Sequence, residues 1–271
     1  MTALPVEAGP PVRFGVWLHP DAAVDRLVDA VVAAESAGFD EVWIADEGVA
    51  RDPMVVLAAA AQRTSTVRLG VGITSPVLRH PGAVAATAST IAELSDGRFV
   101  LGWGVGGTES LDPFGLAYER PVALMRGALE TARAVLGRRE TAHYSPPPHG
   151  LPATAVPLFV GSRGERINRL ASGLADGVFL SGFAASDLGP VVGWARSVRP
   201  IDVAIYQSVR FVTDTRGDPT SVGGGPGAIA EVLGGLAEAH APASIGMALV
   251  DHSDPVEMVG WAAGVLDQLG R

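Results

Sequence analysis

A single-domain parallel (β/α)8 barrel is the fold this sequence predicts, on three observations. Apolar strand-like runs alternate strictly with helical patterns, eight of each. The length, 271 residues, suits such a barrel, which commonly runs to about 250 residues. Hydrophobic residues make up 48 % of the chain, enough Val, Ala and Leu for parallel strands buried on both faces.

Each element has its own signal. Residues 12–19 alternate and then run apolar into a Pro-Asp turn, as a first strand. Asp21 is placed to cap a helix to residue 37, with Val24, Leu27, Val28, Val31 and Val32 on one face and Gly38 as its stop. Residues 40–46 (DEVWIAD) form the second strand. Asp52-Pro53 pairs an N-cap with proline at the first helical position, opening a helix to residue 63. Residues 67–73 and 99–105 are strands that each end in small residues, with a helix over 82–94 between them. An irregular loop carrying Asp112-Pro113 and Gly115 precedes a helix over 120–136. Residues 138–157 are polar and proline-rich, a loop excursion. The alternation resumes with strand 158–160, helix 165–174, strand 177–180, helix 188–198 and strand 203–212. Residues 214–226, with three consecutive glycines, read as a surface linker. Helix 228–239, strand 244–250 and helix 255–269 complete one domain over 1–271.

Composition excludes whole classes of chemistry. The net charge of −9 argues against nucleic acid and anionic membrane as partners. No apolar run reaches the roughly 20 residues that span a bilayer, and the N-terminus lacks a signal-peptide pattern. A cytoplasmic location is the expectation. There is no Cys and no Lys, which removes thiolate nucleophiles, iron–sulfur clusters, Schiff bases and a P-loop lysine. No His/Asp/Glu cluster has metal-ligand spacing. A bound redox cofactor, with arginine and backbone handling its phosphate, is the economical alternative.

Barrel enzymes place their chemistry at strand carboxyl ends. That filter selects His19, Asp46, Glu47, the stretch from Gly72 to Ser75, the stretch from Trp103 to Glu109, Gly161 to Gly164, Ser181-Gly182 and Asp251-His252. Asp46-Glu47 is a carboxylate pair at a strand end, either of which reads as a general acid or base, with Asp46 alternatively a strand-end acid bonding nearby backbone. His19 reads as a proton shuttle, a ligand-stacking ring or a barrel-mouth histidine. His80 reads as structural. Gly161-Ser162-Arg163-Gly164 ahead of a helix suits a phosphate, and equally suits a plain strand-to-helix turn. The glycines of 102–107 imitate a dinucleotide fingerprint, but no helix is expected directly after them. The tryptophans read as core, with Trp103 the candidate exception.

Several runs together resemble the bacterial luciferase-like monooxygenase family: AESAGF from Ala34, WIADEGVARDP from Trp43, residues 57–64, LGVGITSPVLRHP from Leu69, LSDGRFVLGWGVGG from Leu94, and Ala175-Asp176-Gly177. Within it the chain looks most like the branch that uses the deazaflavin coenzyme F420, similar to methylenetetrahydromethanopterin reductase. The resemblance implies a TIM barrel, a non-proline cis peptide at Gly72-Ile73 in a third-strand bulge backing a tricyclic ring, and Thr74 and Ser75 near that ring. It implies Asp46 beside the ring, Gly104, Gly106 and Gly107 along the ribityl chain, and Gly161, Ser162, Arg163 and Gly164 at the phosphate. Glu47 stands where several members have His, and Glu109 lies near an acid that some members use. The region between the seventh strand and the next helix is shorter than the family's. Three functions follow from the resemblance: F420-dependent hydride transfer to or from a small-molecule substrate, FMN-dependent monooxygenation, or cofactor binding without turnover. A homodimer is expected from family habit and from apolar residues 54–61.

Overall fold

A computed structural model describes residues 11–142, 144–149, 152–211, 218–250 and 254–271. The chain runs β1 (Arg13–Leu18), α1 (Val24–Ser36), β2 (Glu41–Ile44), α2 (Pro53–Ala61), β3 (Arg68–Thr74), α3 (Pro81–Leu94), β4 (Phe99–Trp103), the one-turn α4 (Thr108–Leu111) and α5 (Pro121–Leu136). It continues with β5 (Leu158–Val160), α6 (Glu165–Leu174), β6 (Gly177–Ser181), α7 (Leu188–Ala195), β7 (Asp202–Arg210), β8 (Ser221–Gly223), α8 (Pro226–His240), β9 (Ser244–Leu249) and α9 (Pro255–Gln268). Strands β1 to β7 and β9 pair in sequence, and β9 returns to β1, all parallel. The result is a closed eight-stranded barrel with its helices outside, as the alternation predicts.

Local chemistry explains most boundaries. Asp52 accepts hydrogen bonds from the backbone N–H of Met54 and Val55, and Pro53 opens α2. His80 takes the same role for α3, its Nδ1 accepting from Gly82 N–H at 3.2 Å, so it is structural. Asp21 does not cap α1: the N-cap is Ala23, without a side-chain bond. The loop after β4 is more ordered than its sequence suggests. One helical turn opens directly after Gly107, and a 3-10 turn over Asp112–Phe114 follows. Within the stretch read as a linker, Ser221–Gly223 forms β8, which pairs with β7 at Ser208 to Arg210. That pairing sits beyond the Ser181–Tyr206 end of the β6 ladder. The strand-end residues Asp251 and His252 lie outside the described residues.

Two apolar layers hold the barrel. The larger lies between strands and helices and includes Leu27, Leu57, Leu101, Trp103 and Val265. The smaller fills the barrel itself with Trp43, Val100, Phe159, Phe179, Ala204 and Tyr206. Strand glycines make room for these rings: a Cβ on Gly70 would stand 2.4 Å from the Trp43 ring. At the amino ends of the strands, fully buried Glu41 accepts from Trp43 Nε1–H (2.9 Å), Tyr206 O–H (2.7 Å) and Arg13 Nε–H (3.2 Å). Burial and the Glu41 charge push the Tyr206 phenol well above its usual range.

The entry to β3 is clamped by Glu35 at the end of α1. Its Oε1 accepts from Ser65 N–H, Thr66 N–H, Thr66 O–H and Val67 N–H. Partial desolvation raises the pKa of this carboxyl, but the bonds from Thr66, Ser65 and Val67 outweigh it and hold the pKa at about 2, against an ordinary 4.5. A depressed carboxylate contributes stability above its ordinary pKa and loses it as pH falls through the folded value. Glu35→Gln should therefore lower stability by about 1 kcal/mol at neutral pH, after allowance for solvent screening. The gap to wild type should close between about pH 4.5 and pH 2, as read from melting temperatures across that range.

Candidate functional site

A cavity of about 650 Å³ opens at the carboxyl ends of the barrel strands. That is the size of a small-molecule or cofactor site. Its wall brings together most of the residues selected from sequence: Asp46 and Glu47 after β2, Gly72, Ile73 and Ser75 on and after β3, Gly106, Gly107 and Glu109 after β4, and Gly161 to Gly164 after β5.

The β3 end has the expected irregularity. The β3–β4 register shifts between Val71 and Thr74, and the Gly72-Ile73 peptide is cis. Trp17 Nε1–H donates to the Gly72 carbonyl at 2.5 Å. The Ile73 side chain projects over neighbouring backbone. A Cβ on Gly104 would stand 2.1 Å from Ile73 Cδ1, and one on Gly161 would stand 2.6 Å from it. Gly104 thus seats Ile73 rather than lining the cavity. Gly107 differs: it lines the cavity, and a Cβ there meets nothing within 4 Å, so its bare backbone faces open space.

Two other expected residues, Thr74 and His19, stand behind the wall. Thr74 is fully buried and donates its hydroxyl to Asp46 Oδ2 at 2.6 Å. Asp46 borders the cavity, but its side chain is only 1 % exposed. It also accepts from Arg79 Nε (2.8 Å), Arg79 Nη2 (3.2 Å) and Gly48 N–H (3.3 Å). Both carboxylate oxygens are occupied, Oδ2 by Thr74 and Arg79 Nε and Oδ1 by Arg79 Nη2 and Gly48. Arg79 extends to Asp52 Oδ2 at 2.7 Å, tying the β2 loop, the α2 cap and the β3 loop together. Burial would lower the Arg79 pKa, but its bonds to Asp46 and Asp52 raise it above the ordinary value. His19 packs edge-on against Trp17, with ring centroids 4.5 Å apart, and its Nδ1 lies 2.8 Å from Glu47 Oε1. With Glu47 ionised, Nδ1–H donates to the carboxylate. Glu47 is on the wall and His19 behind it.

At the other end, Gly161 to Gly164 leads into α6. Ser162 Oγ accepts from Gly164 N–H at 3.1 Å, and Arg163 reaches toward Gly182 and lies 5.8 Å from the Phe183 ring centre. Trp103 is not a cofactor stacker. It is 0 % exposed and points into the helix layer, while Trp17, Tyr118, Phe179 and Phe183 supply the aromatic wall. Sequence reasoning missed these four and Arg79. Period-two alternation places Trp17 and His19 on one strand face, and Arg79 stands beside the His80 that was singled out.

The geometry gives weight to the comparison with known proteins. Residues 10–234 match the family model described as luciferase-like monooxygenase. The chain belongs to that family. Among curated luciferase-like relatives, the 5,10-methylenetetrahydromethanopterin reductase of Archaeoglobus fulgidus is 33 % identical over 176 residues, covering 63 % of this chain and 53 % of that protein. The F420-dependent glucose-6-phosphate dehydrogenase of Nakamurella multipartita is 33 % identical over 198 residues, covering 65 % of this chain and 58 % of that protein. The matches thus span little more than half the length of these relatives. Among solved structures, the coenzyme F420-dependent tetrahydromethanopterin reductase of Methanopyrus kandleri superposes with a TM-score of 0.76 at 21 % identity, covering 93 % of this chain and 98 % of that one. A monooxygenase from Streptomyces bottropensis gives 0.77 at 17 % identity, covering 96 % of this chain and all of that one. At these identities the superpositions establish the shared barrel.

Proposed function

We propose that this protein is an oxidoreductase that passes a hydride between coenzyme F420 and a small organic substrate. The observation that carries the reading is the seat at the β3 end. Ile73 is pressed against Gly104 and Gly161, beside a cavity whose far end offers glycine backbone, Ser162 and Arg163. A planar ring with an anionic tail fits that arrangement: an apolar buttress below, open backbone at Gly107, and a basic helix entrance for phosphate. The names of the Archaeoglobus and Nakamurella relatives support the same cofactor class.

Bound F420 would supply a ring carbon that accepts or gives the hydride. The remaining work falls to this chain. Ile73 and the Trp17–Gly72 bond fix the seat, Arg163 and Ser162 hold the tail, and apolar walls exclude water. Glu47 is the wall carboxylate placed to take the proton from a substrate hydroxyl, or return it to a carbonyl, with His19 orienting it and Glu109 the other acid on the wall. Positioning supplies much of the rate, consistent with a chain that has no Cys or Lys nucleophile. A cytoplasmic homodimer accompanies this reading. Most of residues 54–61 are used by the protein's own core, and Val55, 63 % exposed, is the large apolar side chain of α2 that supports a dimer face.

Mixing purified protein and oxidised F420 with a panel of primary and secondary alcohols should bleach the deazaflavin absorbance with some member of the panel. Oxygen uptake driven by reduced FMN, with no reaction of F420, would instead identify a monooxygenase. Tight F420 binding with no turnover in either direction would identify a binding protein.

A further inference from the structure

The charges on the cavity wall are unevenly placed. Among the described residues, the charged groups on it are Asp46, Glu47, Glu109 and Arg163. Asp46 is already matched by Arg79. Arg163 stands on the loop before α6, beside Phe183, at the end read as holding the cofactor's phosphate. What remains for a substrate is Glu47, backed by His19, and Glu109 in the first turn of α4, exposed and without a partner among the described residues. Beyond these two carboxylates the wall carries hydroxyls at Ser75, Thr108 and Ser110, and an apolar and aromatic surface at Trp17, Ile73, Val105, Tyr118, Phe179 and Phe183. The apolar surface continues past the mouth through Phe114, 51 % exposed and lying where a Cβ on Gly48 would touch its ring at 3.0 Å, to Leu116 and Tyr118.

We propose that the substrate of this site is an uncharged molecule with an apolar or aromatic body, and that phosphorylated and carboxylated substrates are rejected. This rests on the cavity serving as the substrate site proposed above. An anionic substituent there would meet two carboxylates, of which Glu47 is partly buried, and like-charge contact of that kind is costly. A neutral apolar body instead gains by covering the aromatic wall and the Phe114 rim. The protein would thereby differ from a relative such as the Nakamurella dehydrogenase, whose name specifies a sugar phosphate.

Ligand-detected NMR with benzyl alcohol and benzoate tests the wall directly, first on the protein alone and then with F420 added. Benzyl alcohol should bind at least about tenfold more tightly than benzoate. Glu109→Lys should narrow or reverse that ratio, a difference in which any benzoate bound at Arg163 cancels. With F420 present, the same ordering should appear in kcat/KM for neutral alcohols against their phosphorylated or carboxylated counterparts. Equal affinities, tighter binding of benzoate, binding of neither, or a ratio unmoved by Glu109→Lys would overturn the proposal. A charge preference that persists in protein unable to bind F420 would overturn the cofactor reading alone.

Discussion

Replacing Arg79 with Leu should destabilise the protein by about 3–5 kcal/mol, the cost of leaving a buried carboxylate without its cation. The Asp46 side chain is 1 % exposed and that of Arg79 28 %, so water can only partly replace the lost partner. The Arg79 side chain makes three hydrogen bonds, two to Asp46 and one to Asp52. Its loss leaves the Asp46 carboxylate with the Thr74 hydroxyl and the Gly48 N–H as donors. In a chain of this size the expected fall in melting temperature is on the order of 10 °C. The origin of the effect can be separated from lost packing. In the Arg79→Leu background, Asp46→Asn removes the stranded charge and should restore part of the stability. Asp46→Asn in the wild type should be destabilising by itself. A double-mutant cycle with no coupling would show that the ion pair does not hold the β2 and β3 loops together.

Replacing Glu47 with Gln should lower kcat by about 10²–10⁴-fold, the usual contribution of a positioned acid or base. The affinity for the cofactor should stay close to that of wild type. Gln keeps the shape of the side chain and still offers an oxygen to His19 Nδ1–H, so the 2.8 Å contact can survive while proton acceptance is lost. His19→Gln should have a smaller effect, since His19 lies behind the wall and acts through Glu47. A Glu47→Gln enzyme within about threefold of the wild-type kcat would remove Glu47 from proton transfer and leave Glu109 as the acid to examine. Stopped-flow measurement of the hydride step, with cofactor affinity determined separately, distinguishes these outcomes.

Local rules made the barrel legible in the sequence. The Asp52-Pro53 cap, the glycine stop at Gly38 and the boundaries Leu158–Val160 and Glu165–Leu174 depend on neighbours within a few residues. The family runs also placed the β3 bulge and the cis Gly72-Ile73 peptide correctly. Features that depend on distant partners were not legible. The β8 strand exists because β7 extends past its β6 neighbour and leaves a ladder to fill, which no local pattern of Ser221–Gly223 reveals. Glycines that read as ligand contacts, such as Gly104, are small because Ile73 lies against them. Asp46 carries the same two readings in sequence until Arg79, 33 positions away, is seen to occupy it. Trp103 and Trp17 are both strand tryptophans, and only the register of the closed barrel decides which faces the helices and which the cavity.

We propose that the β3 seat and the Arg163 end together form a deazaflavin site. Its most direct test is an equilibrium titration of the purified protein with F420 and, in parallel, with FMN, followed by cofactor fluorescence. Saturable one-to-one binding of F420 is expected, weakened at least about tenfold by Gly104→Ala, since the new Cβ would meet Ile73 Cδ1 at 2.1 Å and unseat it. Absence of F420 binding, or binding indifferent to Gly104→Ala, would contradict the proposal.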